Sequence, residues 1–472
     1  MKRSRSRLRA LATFLFLGLA ACGDDTTPAV GRGAGEAGAD GSRGGDASPD
    51  AGVDGADAAP GYPAFPVDAP QIQKNHGTIL TAPVIVTVTW PSDASASTWE
   101  AFDDGIGASS YWAATTAEYG VGKATSGATD HVRMNQPLPA SLSYTDLQNL
   151  VAAALQRAVE ADGGAPEGGA SDGGPQDPVW PAPTLDAQGN PQTFYSLFIP
   201  PSTAVTDPGS GMPFCNGAGT GYHASVPAGA LTVAYSVTLE CPSTGADAIE
   251  ETAAHESVET ATDPFNGTST DGYHGFDADH LAWDLYDGFA DELADACQFW
   301  QSAYVQEMGA FPYWVQRSWS NQAAQAGHDP CVPAAGPYHG VTLFPAEEAQ
   351  VSVNLAVIGA GTVKSRGFDV KIGQPLTFHV GFFSDAPTGP WKIGYDFPST
   401  LQTFDMNFVP LGNGSGTVAL SQTTGSNGDR ATVTVTPTAK GEGGFQVMAI
   451  TWDPPTKSGF APRALPVLLV DH

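Results

Sequence analysis

Apolar and polar positions follow two different rhythms along this chain. Up to about residue 340, solid apolar runs alternate with stretches whose apolar residues recur every three or four positions. Pro83–Trp90 (PVIVTVTW), Phe194–Ile199 and Leu231–Leu239 are rich in β-branched and aromatic residues and read as buried strands. Leu147, Leu150, Val151, Leu155 and Val159 form one face of an amphipathic helix, and Trp99, Phe102 and Ile106 predict helix over Trp99–Tyr119. Strands mixed with helices imply a layered α/β (α+β) domain with a central mixed sheet. Beyond Val341 the helical period disappears. Val351–Ile358, Leu376–Phe382, Thr417–Leu420, Ala431–Val435 and Phe445–Ile450 alternate with a period of two between Gly, Pro, Asn and Ser. That pattern predicts an all-β, immunoglobulin-like sandwich over 341–472.

One helical stretch carries the chemistry. Ser243–Pro264 opens on Ser243 and Thr244 as expected N-caps, and Asp247, Glu250 and Glu251 put negative charge at the positive end of the helix dipole. Asp263-Pro264 ends it. Ala248, Ile249, Ala253, Ala254, Val258 and Ala261 are mostly small, so the helix can pack closely, and Leu231–Leu239 is the expected support. At its centre stands His255-Glu256-Ser257-Val258-Glu259. Residues four apart share a helical face, so His255 and Glu259 project together, with Glu256 about a quarter-turn away. Two ligands beside a carboxylate that can hold a water is the logic of the H-E-x-x-H zinc peptidase helix, here with Glu at the second ligand position. An acidic helix with a solitary His is the plain alternative.

Charge sharpens that choice. No Lys or Arg lies between Arg157 and Arg317, while twenty-three Asp and Glu do. Crowded carboxylates resist ionising together. Their neutralising charge has to come from distant chain, solvent, protons or a metal cation. The formal net charge of −30 argues against nucleic acid and against docking on anionic lipid.

The ends of the chain bear on its location. Lys2, Arg3, Arg5, Arg7 and Arg9 precede the apolar Leu11–Leu19, which is too short for a typical spanning helix, so 1–22 reads as a signal peptide. Leu19-Ala20-Ala21-Cys22 resembles a bacterial lipobox, which implies lipid on Cys22 and a lipid-anchored protein of the cell envelope. Residues 23–60 are Gly, Ala and Asp without an aromatic, an expected disordered acidic tether. The α/β domain is expected over 61–340, with 161–178 as a low-complexity loop. Four cysteines remain. In an exported chain they suggest two disulfides, and sequence proximity favours Cys215–Cys241 and Cys297–Cys331 among three pairings.

Five short pieces in order carry a family resemblance. They are His76-Gly77 before the strand ending at Trp90; Phe214-Cys215 with Gly221-Tyr222-His223; the helix His255–Glu259 followed by Thr262-Asp263-Pro264; Trp283 with Glu292-Leu293-Ala294-Asp295-Ala296-Cys297; and Val315–Asn321 with Cys331-Val332. Together they resemble a group of secreted bacterial proteins with an H-E-x-x-E-x-x-T-D-P helix, distantly similar to the plant phosphate-induced (EXORDIUM-like) proteins. The resemblance covers about His76–Val332 and implies a zincin-like metallopeptidase domain. The Phe214–His223 and Pro264–Glu292 stretches are longer than in that group.

A catalytic zinc takes three protein ligands and leaves one position for water. His255 and Glu259 are the expected ligands, Glu256 the expected base, and Glu292 the expected third ligand. Asp295, one turn on, would orient a ligand His; Asp263 and His280 are alternative third ligands. Tyr222 and His223 could donate to an oxyanion, although a packed Tyr and a surface His is the preferred reading. Asp271, Asp277, Asp279, Asp284 and Asp287 offer oxygens to Ca²⁺ without an EF-hand pattern, and a solvated acidic loop is preferred there. No phosphate-cradling glycine loop is present. The functional expectation is a zinc-dependent peptidase, monomeric, acting on protein or peptide substrates. The alternative is a non-enzymatic cell-surface binding lipoprotein.

Overall fold

A computed structural model describes residues 61–162, 177–207, 211–216, 219–265, 271–287, 292–355, 361–398 and 415–471. The expected signal peptide, Cys22, the 23–60 tether and most of the 161–178 stretch lie outside them. Residues 59–472 form one unit.

The apolar runs make the central sheet. Its strands are β1 (Val84–Thr89), β2 (His131–Arg133), β3 (Thr193–Ile199), β4 (Gly221–Ala228) and β5 (Leu231–Leu239), in the order β2-β1-β3-β5-β4. The first four in that order run parallel, and β4 returns antiparallel along β5 with Gly221 opposite Thr238. A hairpin with Gly229 at a φ of +62° joins β4 to β5. Every residue of β3 is buried, as expected of a parallel strand covered on both faces.

Helices supply those covers. Ile85, Phe194, Phe198 and Ala234 face α1 (Ala96–Ile106), α2 (Ser110–Thr116) and α4 (Ala246–Thr262). Val86, Val88, Tyr195, Leu197 and Val237 face α3 (Tyr144–Asp162), which buries Leu147, Val151 and Leu155. The Trp99–Tyr119 segment is two helices rather than one. At Gly107 the backbone lies so close to Ala124 that a Cβ would sit 2.2 Å from its carbonyl oxygen, and Ser109 caps the second helix at Trp112 N. The start of α4 also differs from expectation. Gly245 is its N-cap, and the Thr244 hydroxyl instead donates to the Cys241 carbonyl.

The C-terminal part is two facing sheets. One is ordered β7 (His339–Leu343), β10 (Leu376–Ser384), β13 (Arg430–Pro437), β12 (Gly416–Leu420). The other is ordered β8 (Ala349–Asn354), β9 (Thr362–Val370), β15 (Arg463–Asp471), β14 (Phe445–Trp452), β11 (Gly394–Asp396). The short strand β6 (Trp314–Gln316) precedes both in the chain. Phe368, Phe378, Val380, Val433, Met448, Ile450 and Val467 fill the space between the sheets. All of β15 is buried, because Leu281 and Leu285 of α5 (Leu281–Asp287) cover its outer face beside Leu468 and Val470. The same apolar cluster continues into the α/β part through Trp283, Trp300, Trp319 and Trp452.

Two disulfides are present, Cys215–Cys241 and Cys297–Cys331. No helix among the described residues is long and apolar enough to cross a membrane.

Candidate metal centre

Helix α4 is held from two sides, by β5 and by β6. Ala253, Ala254, Val258 and Ala261 are buried, and their small size lets the helix backbone approach its neighbours. Its polar turn therefore faces inward. Glu256 and Glu259 are buried, and His255 is nearly so.

His255 Nε2 lies 3.0 Å from Glu259 Oε2 and 3.4 Å from Asp295 Oδ1. Asp295 opens α6 (Asp295–Gln298), and its backbone N–H donates to Glu259 Oε1 at 3.1 Å. Gln298 donates to Asp295 Oδ1 at 2.7 Å. These bonds fix both carboxylates without using the oxygens' remaining lone pairs.

The tautomer of His255 follows from one neighbour. Gln316 Nε2 donates to the Ala294 carbonyl at 2.7 Å, and a carbonyl can only accept. Gln316 Oε1 must then be the atom 3.0 Å from His255 Nδ1, so Nδ1–H donates to it. That leaves Nε2 aimed at the two carboxylates.

A second histidine joins the site. His223, on β4, is buried, with Nδ1 3.6 Å from both Glu256 Oε2 and Glu259 Oε2. Its Nε2 donates to the Asp263 carbonyl at 3.0 Å and lies 3.6 Å from Glu292 Oε1. The expectation of a surface His fails here, because β4 places this residue against α4 rather than outward. Tyr222, its neighbour, is packed among Tyr144, Phe214 and Tyr235, as preferred. A strand beginning Gly-Tyr-His and folding back beside the strand that leads into α4 was the available signal. Gly221 is part of it: a Cβ there would lie 2.8 Å from Glu256 Oε1 and 2.5 Å from Thr252 Cγ2. Gln316 carried no comparable signal.

Two groups of potential metal ligands result, His255–Glu259–Asp295 and His223–Glu256–Glu259, with Glu259 in both. Asp295, expected to orient a ligand His, takes the third place beside His255 and Glu259. Glu292, expected in that place, faces His223 instead. Asp263 is wholly buried; its Oδ1 accepts from Gly272 N and its Oδ2 has no hydrogen-bond partner among the described residues. His280 sits elsewhere, donating from Nδ1 to Asp277, with Arg366 donating to its Nε2 at 2.8 Å. Of the acidic loop, Asp277 accepts from Gln71 N and Asp284 from Phe276 N, and Asp279 takes the Gln350 amide. None of Asp271, Asp277, Asp279 and Asp284 enters a ligand group among the described residues.

Electrostatically the centre is starved of cations. Burial disfavours a charged His223, yet Glu292, Glu256 and Glu259 outweigh it and push the ring up to about 10. Burial likewise opposes charge on His255, and Glu259 and Asp295 raise it well above the usual imidazole range. Burial, with neighbouring carboxylates, raises Glu292 and Asp295. His255 Nε2 and Glu259 Oε2, at 3.0 Å, stand at hydrogen-bond length, whereas the other separations fit a shared cation better than direct bonds. Hydrogen bonds from N–H to O fall near 2.7–3.2 Å. Two tetrahedral ligands about 2.1 Å from one ion stand roughly 3.4 Å apart, and the contacts of 3.4 to 3.6 Å lie there.

No family model and no curated protein matches the chain. Among solved structures, the crystal structure of domains 4 and 5 of the S-layer protein SbsC matches 33% of this chain and 90% of its own, at 15% identity and a TM-score of 0.15. A likeness of that size says nothing about function.

Proposed function

We propose that this chain is a zinc-dependent peptidase of zincin-like design, working in an oxidising, extracytoplasmic compartment. The carrying observation is the convergence of His255 Nε2, Glu259 and Asp295 Oδ1 on one point, beside a buried Glu256. The mixed sheet with α4 packed on it is the frame that this reading needs, and the two disulfides suit an oxidising compartment. Three N/O donors with one second-sphere acceptor make the donor set of a catalytic rather than a structural zinc site.

His255, Glu259 and Asp295 would hold Zn²⁺, which as a Lewis acid lowers the pKa of water to about 7 and polarises a peptide carbonyl. Glu256 takes the proton from the attacking water, and its burial keeps bulk water from competing. Gln316 holds His255 in the tautomer whose Nε2 can ligate. His255 and Asp295 are the more exposed members, so an extended peptide would approach from their side.

The test is metal content together with peptide hydrolysis on purified protein. His255→Ala should lose the ion at this triad and hydrolysis together. Glu256→Gln should keep that ion and lower turnover by about 10²-fold or more, since it removes a proton acceptor. Protein that binds no zinc and hydrolyses no peptide would instead leave the non-enzymatic binding reading.

A further inference from the structure

Resting on that metal-site reading, we propose that the centre holds a second divalent cation, bound by His223, one carboxylate oxygen of Glu256 and Glu259, with Glu259 bridging the two ions and the other oxygen of Glu256 kept as the proton acceptor. His223 and His255 fall in different ligand groups although both face Glu259 Oε2, at 3.6 and 3.0 Å. Atoms within a group lie within 4.8 Å of one another, so these two ring nitrogens are farther apart than that. Ligands of a single ion at bond lengths of about 2.1 Å cannot stand more than roughly 4.2 Å apart. One ion therefore does not serve both rings.

Each ring is nonetheless prepared in the same way. A ligating His usually donates its second N–H to a carbonyl or carboxylate. His255 gives Nδ1–H to Gln316 Oε1, and His223 gives Nε2–H to the Asp263 carbonyl. Each keeps its other nitrogen for the carboxylates. His223 Nδ1 stands 3.6 Å from two carboxylate oxygens, beyond hydrogen-bond length and near the spacing of co-ligands.

Charge and an orphaned atom point the same way. Glu256, Glu259, Asp263, Glu292 and Asp295 gather five carboxylates here, and among the described residues none pairs with Lys or Arg. With all five ionised, one divalent ion leaves three negative charges uncompensated and two leave one, so a second ion lets more of them ionise together. Asp263 Oδ2, on a side chain with no exposed surface, has no hydrogen-bond partner among the described residues and lies in the field of His223. Burying such an atom unpaired is costly, and a nearby cation relieves it.

The experiment measures zinc per chain by mass spectrometry, after stripping the full-length protein with chelator, reloading it with ZnCl₂ and desalting. Two equivalents are expected, falling to one in His223→Gln and again to one in the isosteric Glu256→Gln. Cobalt-loaded wild type should show spin coupling between ions that either variant abolishes. One equivalent in wild type, unchanged by His223→Gln, overturns the second ion and leaves the single-ion reading intact. Two equivalents that neither variant lowers place the second ion elsewhere and overturn the proposal as well. No bound zinc overturns both.

Discussion

At the scale of single residues, Gln316 does more than its neutral amide suggests. Its two ends are committed, one to His255 Nδ1 and the other to the Ala294 carbonyl next to Asp295. Its own carbonyl accepts from Tyr111 Oη at 2.8 Å, which fixes the strand that carries it. Replacing Gln316 by Leu keeps the volume and removes both bonds. The ring of His255 and the Asp295 turn then lose their common anchor. Zinc affinity should fall about 10- to 100-fold, the usual cost of removing such a partner, as read by competition with a chromophoric chelator. Unchanged affinity would show that packing alone orients His255.

At the scale of elements, the site depends on how closely β4 meets α4. Gly221 is a point of close approach, where any side chain would collide with Glu256, Thr252 and the Val237 carbonyl. Gly221→Ala should cost about 1–3 kcal/mol in urea unfolding, as overpacking does. It should lower turnover by displacing Glu256 while sparing the ion at His255, Glu259 and Asp295. An activity equal to wild type would mean that Glu256 is not positioned by this contact. The elements themselves were unequally legible. β5 and α3 stood out because their apolar periods are long and uninterrupted, and β5 spans the expected Leu231–Leu239. β9 and β15 did not. In β15 both faces are covered, so the run Ala-Leu-Pro-Val-Leu-Leu-Val shows no alternation to read. The helix bearing His255, Glu256 and Glu259 was legible because helical spacing is local. Asp295 rather than Glu292 lies beside His255 and Glu259 because a three-residue offset in a tight turn decides which carboxylate points where. His223 was misplaced because its burial depends on the pairing of two strands with a helix, which no local period encodes.

At the scale of the whole molecule, the α/β part and the paired sheets are joined by buried charge. Asp329 receives Arg463 bidentately at 3.0 Å from each end and also receives Arg317. Arg463 lies between the rings of Trp300 and Tyr338, 4.7 and 4.9 Å from their centroids. Burial opposes the charge on Asp329, but the two guanidinium groups outweigh it and hold the carboxyl below its usual range. Asp329→Asn would strand two buried cations. A loss of about 3–5 kcal/mol is expected, seen as a lower urea midpoint, and a midpoint within error of wild type would count against this link. The disulfide Cys297–Cys331 adds a different kind of dependence. Cys297 lies two residues beyond Asp295, and Cys331 pairs through Trp319 with the strand that follows Gln316. The turn that brings Asp295 to His255 and Glu259 is thus sewn down by a bond that persists only where thiols are oxidised. On the proposed reading, geography acts as the activation step: inside the producing cell the chain lacks its last fastening, and the proteins around it are spared.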